Sequence, residues 1–347
     1  MTVAEFNNVS FHQLAQTYRK PNKTWFLGTL FIFALWIIVG SFFTLLFIPM
    51  DVFLDPEVND VFELFTLIEA PLLLAALLAS FIPLFFGTMW AYKLFLKEPV
   101  RNLFALNRQW SWGRMWTGVY LWGGLMVLSI LPFLFVSPDS VKFIFNLSSF
   151  IPFAIVALLL FPIQTTAEEF LFRGWLTRWF GQYFKNPAVL SGLGGILFTL
   201  PHMSNPEAIL NPFSAGFSYF LIGFTLTWVT VRDKGLELAV GAHLINNLLA
   251  GLVFPYENSV LPTEGIWLLS GETFMIQNVG TVLAAFLFIW LTRNPDKVML
   301  ETFTEPPSQL KHYDFVEVRT IFDDYSAGKI SEEEFTQRKR EALKDYL

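Results

Sequence analysis

Residues 148–173, SSFIPFAIVALLLFPIQTTAEEFLFR, combine a long apolar run with three charged residues. The part up to Thr166 is about the length that one helix needs to cross the roughly 30 Å hydrocarbon core of a bilayer. Glu168 and Glu169 follow directly, and Arg173 comes one helical turn after Glu169. Ionisable side chains next to or inside an apolar segment cost free energy, so they indicate a specific role. This stretch therefore predicts a membrane protein and marks a place for its chemistry.

The rest of the chain shares this apolar character. Of 347 residues, 54% are hydrophobic and only 15% are charged, whereas soluble domains carry about 25% charged residues. The composition excludes a disordered chain, and the absence of Cys excludes a disulfide-stapled secreted fold. A net charge of -6 gives no sign of a nucleic-acid partner.

Eight segments are apolar enough to be membrane helices, and they predict an all-α, polytopic membrane protein with about eight transmembrane helices. They are residues 25–48, 66–92, 115–136, 148–166, 187–203, 213–231, 236–254 and 273–292. The first has a longer apolar run than a cleaved signal sequence and follows a polar leader, so we expect a retained anchor.

The segments between these predicted helices alternate in charge. The basic ones contain Arg19, Lys20 and Lys23; Lys93, Lys97, Arg101, Arg108 and Arg114; Arg173, Arg178 and Lys185; Arg232 and Lys234; and Arg293 and Lys297. Those between them are acidic or nearly neutral and contain Asp51, Asp55, Glu57, Asp60 and Glu63; Asp139 and Lys142; Glu207; and Glu257 and Glu264. Because basic loops stay in the cytoplasm, the pattern predicts a multi-pass cell-membrane protein with both termini cytoplasmic.

The composition becomes polar from about residue 293, which predicts three regions. These are an N-terminal transmembrane region of two helices (1–114), a core (115–292) and a cytoplasmic tail (293–347). In the tail, Pro306-Pro307 marks a linker, and residues 315–327, closed by Gly328, predict a short helix. Ser331 to Glu334 form a capping box that opens a second helix, with Phe335, Ala342 and Leu343 as its apolar stripe. This predicted helical hairpin resembles the short C-terminal domain called SHOCT.

Polar side chains inside the predicted helices are few and regularly spaced. Glu169 and Arg173 are four residues apart, as are Phe198 and His202, and His243 and Asn247. That spacing puts each pair on one helix face and turns Glu168 about 100° away from Glu169. Each residue alone is compatible with simple helix packing. Together, Glu168, His202, His243 and Asn247 supply a carboxylate, two imidazoles and an amide, the types of group that can activate water and stabilise an oxyanion.

Other protease types lack their motifs. The chain contains no His-Glu-x-x-His, and no Asp lies inside a predicted span, which excludes a paired-aspartate protease. Ser191 lies among small residues and is interpreted as a helix-packing position.

The three spaced pairs fit, in order, the motifs EExxxR (Glu168 to Arg173), FxxxH (Phe198 to His202) and HxxxN (His243 to Asn247). Over residues 115–292 the chain resembles the CPBP family of CAAX-processing and bacteriocin-processing intramembrane endopeptidases, also called Abi proteins. The resemblance implies a membrane protease whose cavity opens toward the cytosol.

Carried over to this chain, the resemblance assigns activation of the hydrolytic water to Glu168 and His202. His243 and Asn247 then stabilise the oxyanion, while Glu169 and Arg173 orient the helix. A glutamate-dependent mechanism without a required cofactor is favoured. A metalloprotease, with Glu168, His202 and His243 as zinc ligands, stays open because the same side chains serve both schemes.

The implied partners are the lipid bilayer and a membrane-bound peptide or protein substrate, such as a prenylated CAAX tail, a leader peptide, a bacteriocin or a signalling peptide. No oligomeric state is implied, and a bacterial origin is favoured. The alternative function is a non-proteolytic membrane scaffold or bacteriocin-immunity protein. A transporter is disfavoured because the chain has no internal repeat.

The predicted spans contain one conflict. They place Glu168 near the cytoplasmic edge and His202 toward the outer end of its helix, so the two would not meet. We therefore expect the fourth helix to start later than residue 148 and to continue past Arg173. We also expect Pro162 and the polar residues 164–166 to loosen it.

Overall fold

A computed structural model describes residues 20–55, 66–105, 110–132, 137–270 and 274–293, with isolated residues elsewhere. Within these ranges the helices are α1 (Asn22–Leu45), α2 (Met50–Phe53), α3 (Ala70–Leu96), α4 (Arg101–Phe104), α5 (Trp112–Ile130), α6 (Leu147–Gly181), α7 (Pro187–His202), α8 (Pro206–Leu210), α9 (Pro212–Asp233), α10 (Glu237–Val253) and α11 (Phe274–Leu291). Strands β1 (Val141–Phe143) and β2 (Trp267–Leu269) form an antiparallel ribbon that the sequence analysis did not predict.

The chain is an all-α, polytopic membrane protein, as its composition predicts. Each of the eight predicted apolar segments is helical, in α1, α3, α5, α6, α7, α9, α10 and α11. By length and composition α1, α3, α6 and α9 are able to cross a bilayer, whereas α7, α10 and residues Asn278–Leu291 of α11 are shorter apolar helices. Many large apolar side chains on these helices, such as Ile37, Trp90 and Leu159, are exposed, as a lipid-facing surface requires.

The helices alternate in direction, so their connections collect at two ends of the bundle. The start of α5 lies beside the start of α10, because Ser111 N donates to Glu237 Oε1 at 3.0 Å. The end of α9 lies at the same place, where Asp233 pairs with Arg114. At this end Arg178 of α6 also donates to the carbonyl of Asn102, at 3.2 Å.

These contacts gather the basic connections at one end, which we call the basic end. Its described basic residues are Lys20, Lys23, Lys93, Lys97, Arg101, Arg114, Arg178, Lys185, Arg232, Lys234 and Arg293. The opposite end contains the connections after α1, α5, α7 and α10, with the β1–β2 ribbon. The predicted alternation of charge is thus present among the described residues, while Arg19, Glu57, Asp60, Arg108 and Lys297 lie outside them.

Glycines bring α5 and α10 into close contact. A Cβ atom at Gly241 would overlap the carbonyl oxygen of Met115, and one at Gly118 would overlap the carbonyl oxygen of Leu238. Small residues at helix interfaces allow backbones to approach within a membrane. This close approach sets the position of the α10 side chains that face the centre of the bundle.

Helix α6 differs from its prediction in two respects. It begins at Leu147, where Asn146 Oδ1 accepts a hydrogen bond from Ser148 N, so the expected later start is wrong. It does continue past Arg173, to Gly181. It is a regular α-helix through Pro162, and the wide turn, a π-helix, spans Phe170–Leu176 instead. The expected loosening at residues 162–166 is therefore wrong, and the irregular turn follows the glutamates instead.

Residues 300–347 form a second compact unit that is described only in part. Ser331 Oγ accepts a hydrogen bond from Glu334 N at 3.2 Å, which confirms the predicted cap. Tyr325 stacks on Phe335, with 4.5 Å between ring centroids. The SHOCT likeness stays a prediction, and Pro306, Pro307, Gly328, Ala342 and Leu343 lie outside the described residues.

Candidate active site

A cavity of about 490 Å³ is lined by residues of α1, α3 and α5 to α11. Most of its walls are apolar, and its polar lining includes four of the predicted site residues. These are Glu168, His202, His243 and Asn247. The packing of three helices therefore brings together side chains that are up to 79 positions apart in the sequence, from Glu168 to Asn247.

The other two predicted residues, Glu169 and Arg173, form a buried ion pair. Arg173 Nη1 lies 2.8 Å from Glu169 Oε1, and both side chains have no exposed surface. The predicted pairing along one helix face is thereby confirmed. Arg173 also donates to the carbonyl of Gly223 at 3.3 Å, and its guanidinium lies 4.6 Å from the centre of the Phe198 ring. This pair links α6 to α7 and α9.

His243 lies between the two glutamates. Its Nδ1 atom is 2.7 Å from Glu169 Oε1, and its Nε2 atom is 3.4 Å from Glu168 Oε2. An ionised carboxylate accepts hydrogen bonds and donates none. The hydrogen on Nδ1 therefore points to Glu169, which fixes the ring's orientation.

The contact between His243 Nε2 and Glu168 Oε2 has a consequence for protonation. A neutral ring with its hydrogen on Nδ1 would present a lone pair to a carboxylate, which is a repulsive arrangement. Attraction at this contact requires one further proton, either on Nε2 or on Glu168. The separation of 3.4 Å exceeds the usual 2.9–3.0 Å of an N–H···O bond. Glu168 Oε2 makes no hydrogen bond to the described residues, although its side chain is buried.

His202 lies on another part of the cavity wall. Its Nδ1 atom is 2.7 Å from the carbonyl oxygen of Phe198, one helical turn earlier in α7. Because a carbonyl only accepts, the hydrogen is on Nδ1, and the neutral ring keeps its lone pair on Nε2. The ring is held between those of Phe198 and Tyr219, with centroids at 4.5 Å from each.

Asn247 is fixed by polar neighbours that the sequence analysis did not assign to the site. Its Nδ2 atom donates to Gln164 Oε1 of α6 at 3.0 Å, and its Oδ1 atom accepts from Asn246 Nδ2 at 3.3 Å. An amide nitrogen has two hydrogens, and the bond to Gln164 uses one. Asn247 therefore enters the site with its orientation fixed and a second hydrogen available.

Glu207 is an unexpected member of the cavity wall. The sequence analysis places it in a connection between two predicted helices, and in the structure it is only 3% exposed. It accepts hydrogen bonds from the hydroxyl groups of Tyr219 and Tyr256 and, at 3.0 Å, from Val260 N. Burial, with the Glu207 carboxylate acting in the same direction, raises the pKa of Tyr256, so its phenol stays a donor. Glu207 therefore connects the Tyr219 ring beside His202 to the loop after α10.

This geometry coincides with a match to a known protein family. Residues 147–249 match the Rce1-like family. The family model is described as type II CAAX prenyl endopeptidase Rce1-like. The matched residues run from the start of α6 into α10 and contain all six predicted site residues.

A relative in Bacillus subtilis (strain 168), the uncharacterized protein YyaK, is 37% identical over 175 residues. That alignment covers 50% of this chain and 58% of YyaK. No solved structure matches the chain.

The cavity side chains that the structure describes do not already form a metal site. Among the described residues, no group of three or more His, Asp or Glu side chains is arranged to hold a metal ion. Both ring nitrogens of His243 face carboxylates, and Nδ1 of His202 is bonded to a backbone carbonyl. In both rings Nδ1 bonds an oxygen while Nε2 makes no hydrogen bond to a described residue, which is also the usual arrangement of a zinc-bound imidazole. The zinc alternative therefore stays a prediction, and no step below uses a metal.

Three site neighbours were missed by sequence reasoning: Glu207, Gln164 and Asn246. None was assigned because each bonds a residue of another helix: Gln164 bonds Asn247, Asn246 bonds Trp122, and Glu207 bonds Tyr219. The available signal is their setting: Gln164 lies four residues before Glu168, and Asn246 adjoins Asn247. Glu207 follows Asn205-Pro206 in a connection with no other charged residue.

Proposed function

We propose that the chain is an intramembrane endopeptidase that hydrolyses a peptide bond of a membrane-associated peptide or protein. The observation that carries this proposal is the position of Glu168. It is a buried carboxylate that faces a cavity and lies 3.4 Å from the imidazole of His243, and its Oε2 atom makes no hydrogen bond to a described residue. The match to the Rce1-like family supports the same conclusion.

In the proposed reaction, a water molecule in the cavity gives a proton to Glu168. His202, with its lone pair on Nε2, accepts the water's second hydrogen as a hydrogen bond and orients the attacking oxygen. The new C–O bond converts the peptide carbonyl into an oxyanion. Proton transfer from Glu168 to the amide nitrogen then completes cleavage of the C–N bond and leaves a carboxylic acid and an amine.

The oxyanion needs donors that are already oriented. Asn247 supplies the Nδ2 hydrogen that Gln164 does not use. His243 supplies Nε2–H when the shared proton is on its ring. Glu169 and Arg173 do not touch the substrate in this scheme; they hold His243 in the required orientation.

The test compares Glu168→Gln with wild type and with Ser191→Ala. Ser191 is fully buried in α7 but does not line the cavity, so it controls for a change inside the bundle. Two quenched fluorescent peptides serve as probes in detergent: a farnesylated CAAX peptide, and a peptide with an apolar centre and charged ends. The charged-end peptide also represents leader peptides and bacteriocins.

We expect Glu168→Gln to lower kcat by about 10²–10⁴-fold because the general base is lost, and Ser191→Ala to cleave at the wild-type rate. Wild-type cleavage by Glu168→Gln would overturn the catalytic role of Glu168, and an absence of cleavage by the wild-type protein would favour the membrane-scaffold or immunity function. Cleavage that stops on exhaustive chelation and returns with zinc would replace the metal-free scheme with the metalloprotease scheme.

The proposal includes an orientation in the membrane. The basic end is cytoplasmic by the positive-inside rule, which places both chain termini in the cytoplasm of a bacterial cell.

A further inference from the structure

The cavity occupies only one half of the bundle. Besides the site residues, its lining includes Ile130 at the end of α5, Ser204 after α7, and Phe254, Tyr256 and Val260 after α10. Ile130 is the last residue of α5, which runs to the opposite end, and the other four lie in connections at that end. In the described part of the chain, none of the basic-end residues named above lines the cavity.

The charge of the opposite end is also distinctive. Lys142 is the only Lys or Arg in the sequence segments 46–69, 131–146, 203–211 and 254–273, which otherwise carry acidic residues. Short loops with few Lys and Arg residues lie on the non-cytoplasmic face of a membrane. The basic end, by contrast, carries basic residues in every connection.

Two expectations from the sequence therefore conflict. The charge pattern places the basic end in the cytoplasm, whereas the family resemblance implies a cavity that opens to the cytosol. The cavity lies in the half of the bundle away from the basic end, so one expectation fails.

We infer that the cavity takes its substrates from the non-cytoplasmic side of the membrane. Translocation of a basic loop across the membrane is unfavourable, and inverting this chain would require it at every connection of the basic end. The resemblance concerns the site residues and does not fix which face they serve.

This inference deepens the proposed function, on which it rests, by limiting the substrate class. The substrate is a polypeptide whose cleaved bond is exposed at the outer face, such as an exported peptide or the outer flank of a membrane anchor. Its residues next to the bond are apolar, to fit a wall that includes Trp36, Phe81 and Phe161. Prenylated tails on the cytoplasmic face have no access to this cavity.

Cysteine labelling tests the orientation without any assay of cleavage. The full chain has no Cys, so a single introduced Cys is the only thiol. Thr263→Cys lies in the loop after α10, and Lys185→Cys lies between α6 and α7; both positions are exposed. In spheroplasts, a membrane-impermeant maleimide is expected to label Thr263→Cys at once and Lys185→Cys only after permeabilisation. The reverse pattern would overturn the inference.

Sided cleavage tests substrate access. The charged-end peptide probe does not cross membranes, so it reports only the face to which it is added. We expect right-side-out vesicles to cleave it at least tenfold faster than inside-out vesicles of equal protein content. Faster cleavage by inside-out vesicles would overturn the inference and leave the proposed function intact. An absence of cleavage in detergent would count against the proposed function, and the labelling experiment would still decide the orientation.

Discussion

Removal of the Arg173 guanidinium should destabilise the fold strongly. Arg173 and Glu169 have no exposed surface, and their charged atoms lie 2.8 Å apart. In Arg173→Met the Glu169 carboxylate stays buried without its cationic partner. Breaking a buried ion pair in this way costs about 3–5 kcal/mol. Because Nδ1 of His243 still donates to Glu169, we expect a value near the lower limit, about 3 kcal/mol.

The chain offers a matched control. Arg338 and Glu334 are also four residues apart, with 2.7 Å between their charged atoms, but about half of each side chain is exposed. Exposed pairs of this spacing contribute about 0.3–0.5 kcal/mol. Arg338→Met, which lies in the second compact unit, should therefore leave the free energy of unfolding of the helix bundle unchanged.

The measurement is the free energy of unfolding by steric trapping in bicelles. The double variant Glu169→Gln, Arg173→Met removes both charges, so its destabilisation should be smaller than the sum of the single effects by at least about 1 kcal/mol. Additive single effects, or an Arg173→Met variant as stable as Arg338→Met, would refute the argument that the buried charge of Glu169 depends on Arg173.

Three further changes probe helix packing, the oxyanion donor and the outer wall of the cavity. Gly241→Ala puts a Cβ against the backbone of α5 and should lower the free energy of thermal unfolding by about 1–3 kcal/mol or more. Gly124→Ala, where a Cβ would have no atom within 4 Å, should not destabilise the protein, and equal stability of the two variants would contradict the close packing. Asn247→Leu should lower kcat by about 10²–10³-fold, and an unchanged kcat in the peptide assay would remove Asn247 from the oxyanion site. Glu207→Ala leaves buried donors without an acceptor and should lower the unfolding free energy by about 3 kcal/mol. Glu207→Gln should recover most of this loss, and equal unfolding free energies of the two variants would show that the hydrogen bonds are unimportant.

Predictions from sequence succeed where they concern contacts within one helix. The pairing of Glu169 with Arg173 and the cap of Ser331 on Glu334 N are both found, because each depends on the geometry of one helix. The start of α6 was wrong because it was inferred from a tertiary requirement, that Glu168 meet His202. In the structure Glu168 and His202 do line one cavity, although α6 begins at Leu147.

Glu207 illustrates the opposite case. A carboxylate in a short polar connection is usually solvated, and nothing local distinguishes this one. Its burial depends on Tyr219 in α9 and on Tyr256 and Val260 in the loop after α10. Those partners come from separate elements, so their contact follows from the packing of the bundle.

The sequence by itself determined the eight apolar helices, their alternating charge and the helix faces that carry Glu168, His202, His243 and Asn247. These properties follow from hydrophobicity and from the 3.6-residue period of one helix. Only the tertiary structure decided that His243 lies between two carboxylates, that Gln164 holds Asn247, and that the cavity lies away from the basic end. Each of these depends on how far one helix is shifted along its neighbour, which close contacts between distant residues such as Gly241 and Met115 determine.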